Sequence, residues 1–247
     1  KKSDGWVIGE KEYAATETVC DSYADTFKNI KILDKVTKSE NENILAKYGL
    51  DKENVITVKV SGEGKLLRTF YVGKTSSTNS QVYMRFDSSS DVYLVNGSIQ
   101  SDCKVTAEEI RSKMVYNMDK NDINTVSVTV PEGKTWALSR SGDGTVWSFS
   151  GVDGIDIDSE KAASWFQSCS SVACTEWLSE EEPVPGDLIV SATVSKNGRT
   201  VTVDMFTSLD DEGDEEFFGK TNELDCAFKL PKYVVQKFQK NPEDFAK

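Results

Sequence analysis

The chain has 247 residues, 29 lysines and arginines against 41 aspartates and glutamates, a formal net charge of −12, and no histidine. Without imidazole there is no Ser-His or Cys-His nucleophile pair, no histidine-ligated zinc and no histidine proton shuttle. The acidic balance argues against nucleic acid as a partner, because phosphate backbones are bound through clustered Lys and Arg, while 38% hydrophobic residues, 10% aromatics and five prolines describe a soluble, folded chain.

The length suits one large domain or two of modest size. No stretch approaches the roughly 18 to 20 consecutive apolar residues of a membrane span. The chain opens at Lys1 within what reads as a structural unit, which leads to the expectation of a further segment upstream, a signal or an anchor.

In chain order, Gly5-Trp6-Val7-Ile8 reads as a strand, followed by a helix starting near Thr16 that buries Val19, Tyr23, Phe27 and Ile30. A short capped helix within 39–49 presents Ile44, Leu45 and Tyr48 and ends at Gly49. Alternating runs then form a hairpin, with Ile56, Val58 and Val60 on one strand, Leu67, Thr69 and Tyr71 on the next, and Ser61-Gly62-Glu63-Gly64 between them. Residues 82–85 and 92–95 continue as strands. A Thr106/Glu109 capping box predicts a helix over 106–116. Strands at 125–130 and 135–140 flank a Pro131-Glu132-Gly133 turn, and Gly142-Asp143-Gly144 leads to a strand at Trp147. A second amphipathic helix begins at Asp158 or Ser159 and buries Ala162, Trp165, Phe166 and Cys169, and Pro231 opens a last helix over 231–239.

Sliding the chain against itself exposes an internal repeat. Shifted by 134 residues, 54–95 falls on 188–229 without a gap: Ile56, Val58 and Val60 meet Val190, Ala192 and Val194, Leu67, Thr69 and Tyr71 meet Val201, Val203 and Met205, Tyr83 meets Phe217 and Asp91 meets Asp225. The turn matches too, with Ser195-Lys196-Asn197-Gly198. Upstream, Trp6 meets Trp147 at a shift of 141, the longer connection in the first copy being filled by 39–49. The expected fold is α+β, two tandem similar repeats, each an antiparallel meander packed with an amphipathic helix, one sheet face on a core and one in water. The expected divisions are 1–97 for repeat one, incomplete at its N-terminus, 98–146 for a helix and hairpin connector, and 147–247 for repeat two.

The order of Trp6, helix, Tyr48-Gly49-Leu50, hairpin, Tyr71-Val72-Gly73-Lys74, Val82-Tyr83-Met84-Arg85 and Val92-Tyr93-Leu94-Val95 resembles the domain of unknown function 4340 family. The resemblance covers essentially the whole chain, although the second copy lacks the Tyr-Gly-Leu and carries Thr207-Ser208 in place of Gly73-Lys74. It implies a bacterial extracytoplasmic protein held by an N-terminal segment, associated in some members with ABC-type transport or gliding-motility loci, and it supplies no catalytic residue.

Several local motifs invite a more specific chemistry. Gly73-Lys74-Thr75 and Gly219-Lys220-Thr221 lack the earlier glycine of a phosphate-binding loop, Arg68 and Asp214 standing there, and read as turns. The run Asp210-Asp211-Glu212-Gly213-Asp214-Glu215-Glu216 makes Asp210, Asp211, Glu212 and Asp214 the candidate metal ligands, but it lacks the spacing of an EF-hand loop and reads first as a solvated hairpin. Asp153, Asp156 and Asp158 alternate beside a helix start, where they favour its dipole. The odd count of five cysteines implies no disulfide framework; Cys169 and Cys174, five apart, are a candidate bridge or buried thiols. Trp6, Trp147 and Trp165 read as core, with Trp136 and Trp177 open to either packing or carbohydrate stacking. The expected function is a non-enzymatic extracytoplasmic binding or scaffolding domain with a protein partner, an ABC-type membrane complex, and no cofactor. The alternatives are a carboxylate-based or metal-assisted hydrolase and a small-ligand sensor.

Overall fold

The computed structural model describes residues 5–62, 64–97, 99–142, 144–179, 183–196 and 198–247; Glu63, Asn197 and Asp143, each placed in a turn by the sequence, lie outside them. The chain divides into two compact units, Lys1–Ser112 and Lys113–Lys247. The architecture is α+β, with antiparallel sheets throughout the described residues.

In the first unit β1 (Val7–Ile8) and β2 (Tyr13–Ala14) form a two-stranded ribbon. It precedes α1 (Glu17–Lys28), which has Thr16 at its N-cap, and β3 (Ile32–Lys38). In α2 (Glu42–Leu45) the Asn41 side chain accepts the Asn43 N–H. The 3-10 turn Ala46–Tyr48 follows, and Gly49 ends it in the left-handed region at φ +66°. Then come β4 (Ile56–Gly62), β5 (Lys65–Thr75), β6 (Gln81–Phe86) and β7 (Asp91–Asn96). The unit ends with two single-turn helices, α3 (Ile99–Asp102) and α4 (Ala107–Ile110). The sheet runs β3-β7-β6-β5-β4.

Pairing registers show which side chains share a face. Val58↔Phe70, Phe70↔Phe86 and Met84↔Tyr93 put one row on the side of α1 and α3, where Phe27, Ile30 and Ile99 join it. Tyr71, Tyr83 and Val92 lie on the opposite face beneath Leu45, Tyr48 and Leu50. This sheet therefore carries apolar clusters on both faces, where one was expected to meet water. The expected inward row of Leu67, Thr69 and Tyr71 is also corrected. A register shift between Val60 and Ser61 turns Phe70 and Val72 to the α1 side and leaves Leu67 66% exposed.

The second face closes by a close backbone approach. A Cβ added to Gly73 would collide with the Tyr48 carbonyl oxygen and lie 2.9 Å from Leu50 Cγ, and one on Gly49 would lie 2.8 Å from the Lys74 backbone nitrogen. Tyr48 then meets Tyr83 edge-on, ring centroids 4.9 Å apart.

In the second unit the elements are β8 (Met114–Asn117), β9 (Ile123–Thr129), β10 (Thr135–Arg140), β11 (Trp147–Ser150), α5 (Ser159–Cys169), β12 (Ser171–Ala173) and β13 (Glu176–Trp177). They continue as β14 (Asp187–Lys196), β15 (Arg199–Leu209), β16 (Glu215–Thr221), β17 (Phe228–Leu230) and α6 (Lys232–Phe238). Eight of the described strands form one sheet in the order β11-β10-β9-β14-β15-β16-β17-β13, and β8 pairs with β12. Alternation is regular: Val126, Leu138, Ala192, Val194, Val203 and Met205 are fully buried. On the other face Ser191 donates to Asp204 at 2.6 Å, Thr193 pairs with Thr202 at 3.0 Å and Thr125 with Ser139 at 3.2 Å.

α5 seals the apolar face with Ala162, Trp165, Phe166 and Cys169, the four residues its spacing selects. Trp165 stacks on Trp136, centroids 5.3 Å apart, and donates its indole N–H to the Lys237 carbonyl at 2.7 Å. The Lys237 ammonium donates to the carbonyls of Ser168 and Ser171 at 2.9 and 2.6 Å, placing a cation where α5 ends.

Three further expectations change. The helix over 106–116 is the single turn α4: its capping box forms, but Arg111 is extended, Thr16 N–H donates to the Ile110 carbonyl and Ser112 N–H to that of Ala14, both at 2.8 Å. Pairing with the chain around β2 thus displaces the helix. The expected connector 98–146 is shared between the units, α3 and α4 lying in the first and the β9–β10 hairpin inside the second unit's sheet. The two tryptophan strands also differ, since β11 joins the large sheet while the strand after Trp6 forms only the β1–β2 ribbon.

The close approach at Gly73 gives a direct prediction. Gly73→Ala forces a Cβ against backbone and should destabilise the first unit by about 1–3 kcal/mol. Gly142→Ala, whose Cβ meets nothing within 4 Å, should leave stability within about 0.5 kcal/mol. Urea unfolding of the two variants beside the parent chain reads the difference.

Candidate functional site

The two long helices dock differently. α5 buries four side chains completely or nearly so, whereas on α1 only Cys20 is buried; Val19, Tyr23 and Phe27, and Ile30 just beyond its end, lie on the face the sequence predicts but remain half-buried. Phe27 and Ile30 join the sheet's apolar cluster from this helix and the residues just after it, and apolar sheet surface lies uncovered beside them.

That surface forms a groove of two adjoining lobes. The larger, about 910 Å³, runs between α1 and the β4–β5 end of the sheet, with Trp6, Ile8, Ala24, Val58 and Val60 among its walls and Ile110 at one end. The smaller, about 650 Å³, continues past Phe86 and Tyr93 towards Ile32. Phe27, Phe70, Lys28 and Arg68 belong to both. An aromatic ladder floors the join: Phe27 to Phe70 at 5.1 Å, Phe70 to Phe86 at 5.9 Å and Phe86 to Tyr93 at 5.5 Å between centroids. Both volumes lie within the range of small-molecule sites, about 300–1,000 Å³.

The charged groups of the groove are mainly cationic. Lys28 and Arg68 line the larger lobe, and no carboxylate does among the described residues. The smaller lobe adds Asp87, whose carboxylate is engaged: Oδ1 accepts the Thr69 N–H at 2.9 Å and Oδ2 lies 3.6 Å from Arg68 Nε. Burial, and then the negative charges of Asp102 and Glu109, push the Tyr23 phenol above its ordinary value. Neither acid lines the groove, and Glu109 is occupied in the Thr106 capping box. A glycosidase needs two carboxylates facing one another across a cleft; among the described residues these lobes hold one between them.

Asp210, Asp211, Glu212 and Asp214 stand in the β15–β16 turn, folded around Asp210. Its Oδ1 accepts the N–H groups of Glu212 and Asp214, both at 2.9 Å, and its backbone N–H donates to the Asp214 carbonyl. Asp211, Glu212 and Asp214 are exposed, and no group of three or more acidic or cysteine side chains among the described residues is gathered for a metal. Asp158 caps α5 by accepting from Glu160 and Lys161, and Asp156 pairs with Lys247 at 3.0 Å. Gly73–Thr75 and Gly219–Thr221 lie inside β5 and β16, each glycine at a close packing contact.

The thiols of Cys169 and Cys174 are unbridged and buried; burial pushes Cys169 up to about 12 and the half-buried Cys103 up to about 11. Trp136 and Trp177, left open by the sequence, are buried at 7% and 8% exposure, Trp136 against Trp165 and Trp177 edge-on to Phe228. Packing accounts for both.

Sequence reasoning missed the groove. Phe70, Phe86 and Tyr93 sit on one face of three successive strands, two residues beyond Arg68 in the first case, but the register shift at Val60 hid that alignment.

A family model, that of the domain of unknown function DUF4340, matches residues 6–189, taking in the first unit from Trp6 and the second as far as Ile189 in β14. No curated protein and no solved structure matches the chain.

The acidic turn yields a prediction with a definite sign. Hydrogen bonds from the backbone at Asp214 first, then at Glu212 and Gly213, with attraction from Lys229, hold the Asp210 carboxyl below the usual range. A lowered carboxyl stabilises the fold above its unfolded pKa of about 3.9 and loses that contribution as pH falls through the folded value. Carbon-detected NMR should find Asp210 titrating below ordinary aspartate, with Asp210→Ala speeding amide exchange at Glu212 and Asp214. Millimolar calcium should leave the Asp210 signal unmoved, since the turn already uses that carboxylate.

Proposed function

The chain belongs to the DUF4340 family, and on that premise we propose that it is a non-enzymatic binding or scaffolding domain acting outside the cytoplasm. It is built from two tandem, similar modules, held at the membrane by a segment N-terminal to this chain, and serves a membrane protein assembly of the ABC-transporter kind. The observation that carries the reading is the open groove of the first unit, an apolar surface bordered by cations and suited to holding a partner or ligand.

The tandem reading is supported by the hairpins. Gly62↔Lys65 and Lys196↔Arg199 close them at corresponding positions under the 134-residue shift, with Gly64 and Gly198 both at positive φ, +74° and +90°. In each unit the next two strands add outward in order, β6 and β7 in one and β16 and β17 in the other. The copies differ where the sequence differs: Gly73-Lys74 admits the Tyr48 turn, and Thr207-Ser208 stands at the matching place in the second.

The test is in-cell crosslinking of the full-length protein followed by purification from membranes. The proposal expects a protease-accessible domain outside the cytoplasm that crosslinks reproducibly to an integral membrane transporter subunit. Recovery of the full-length protein in the cytoplasmic fraction, without a membrane partner, would overturn it.

A further inference from the structure

We propose that the groove beside α1 is a binding site for a single-chain amphiphile with an anionic head group, such as a long-chain carboxylate. The chemistry of the lining names this occupant. Its walls are aliphatic and aromatic: Ile8, Val58, Val60 and Ile110 in the larger lobe, with Phe27 and Phe70 at the join. An apolar tail lying there removes both its own methylenes and these side chains from water.

The charges are the reverse of the chain's overall balance. In a protein with 41 acidic against 29 basic residues, Lys28 and Arg68 line the larger lobe and, among the described residues, no acid does. No carboxylate among the described residues pairs with Lys28, and among them Arg68 has only the 3.6 Å approach of Asp87, itself engaged with the Thr69 amide. Lys28 and Arg68 border the junction of the two lobes. An anionic head there has two cations within reach while the tail follows the groove, whereas a cationic head would face both at close range. The site is wholly within the first unit and needs no membrane partner, so it stands or falls separately from the proposed assembly.

Calorimetric titration of the intact chain with dodecanoate, dodecan-1-ol and dodecyltrimethylammonium, each below its aggregation concentration, tests the assignment. The expected result is one saturable dodecanoate site per chain. Binding should be at least about tenfold weaker for the alcohol and weaker again for the ammonium, and should tighten by up to about fourfold for each methylene added from decanoate to dodecanoate. Lys28→Gln with Arg68→Gln, both side chains at the surface, should reduce dodecanoate affinity about tenfold and bring it close to that of the alcohol. Ala24→Trp, filling the larger lobe, should weaken all three ligands. The head-group series on the unaltered protein keeps the test independent of how the variants fold. Absence of saturable dodecanoate binding, equal affinity for all three head groups, or an anion preference that survives loss of both cations would each overturn the proposal.

Discussion

The contact on which the first unit depends is the one between the Tyr48 carbonyl and the bare backbone of Gly73. Strands in a sheet offer two apolar faces to whatever can reach them, and here a short turn reaches one because two glycines let backbone lie on backbone. Gly49 supplies the left-handed turn that ends the 3-10 segment, and Gly73 supplies the space into which the carbonyl descends. Leu45, Leu50 and Val92 are then buried and Tyr48 is placed against Tyr83. The residues that give the chain its family likeness, Tyr48-Gly49-Leu50 and Gly73-Lys74, are therefore the two sides of one packing contact.

With that face sealed by a turn, the long helix shares the other face with the single turn α3 and covers its part of it incompletely. The second unit shows what complete cover looks like: Trp165 and Phe166 from α5, Val235 and Phe238 from α6 and Phe245 together close the apolar side of the large sheet. Burying a large apolar side chain is worth about 1.5–3 kcal/mol, so α5 is held firmly by its own contacts. α1 buries only Cys20 fully and leaves Phe27 half-exposed above the aromatic ladder. The uncovered strip has the size of a ligand site, and the basic residues beside it set its chemistry.

The sequence made parts of this legible and hid others for physical reasons. Helix faces came through in both units, because i, i+3 and i+4 spacing reports which side turns inward. How deeply that side is buried depends on partners far away in sequence, so the pattern gives Val19 and Tyr23 the same inward role as Trp165 and Phe166, although only the second pair is fully covered. Alternation placed β9, β10, β14 and β15 of the large sheet, while the two-residue β13 is too short to show a period. In the smaller one a single extra residue near Val60 inverted the faces of β5, so that Phe70 rather than Thr69 joins the α1 core. β3 escaped notice because an edge strand with two register shifts, mixing Ile32, Leu33 and Val36 with Asp34 and Lys35, shows no period. The helix expected after Thr106 was truncated by backbone pairing to β2, a competition that propensity does not record. The acidic turn was read correctly as a hairpin, while the groove, made by elements far apart along the chain, left no local motif.

The central claim is that the two faces of the smaller sheet are unequal, one sealed by the Tyr48 turn and one open beside α1. Solvent paramagnetic relaxation of assigned methyl groups measures this directly. A soluble gadolinium chelate should strongly relax the methyls of Ala24, Val58 and Val60 in the groove and leave those of Leu45, Leu50 and Val92 nearly untouched. Equal protection of the two sets would mean that α1 closes on the sheet in solution, and would contradict the account.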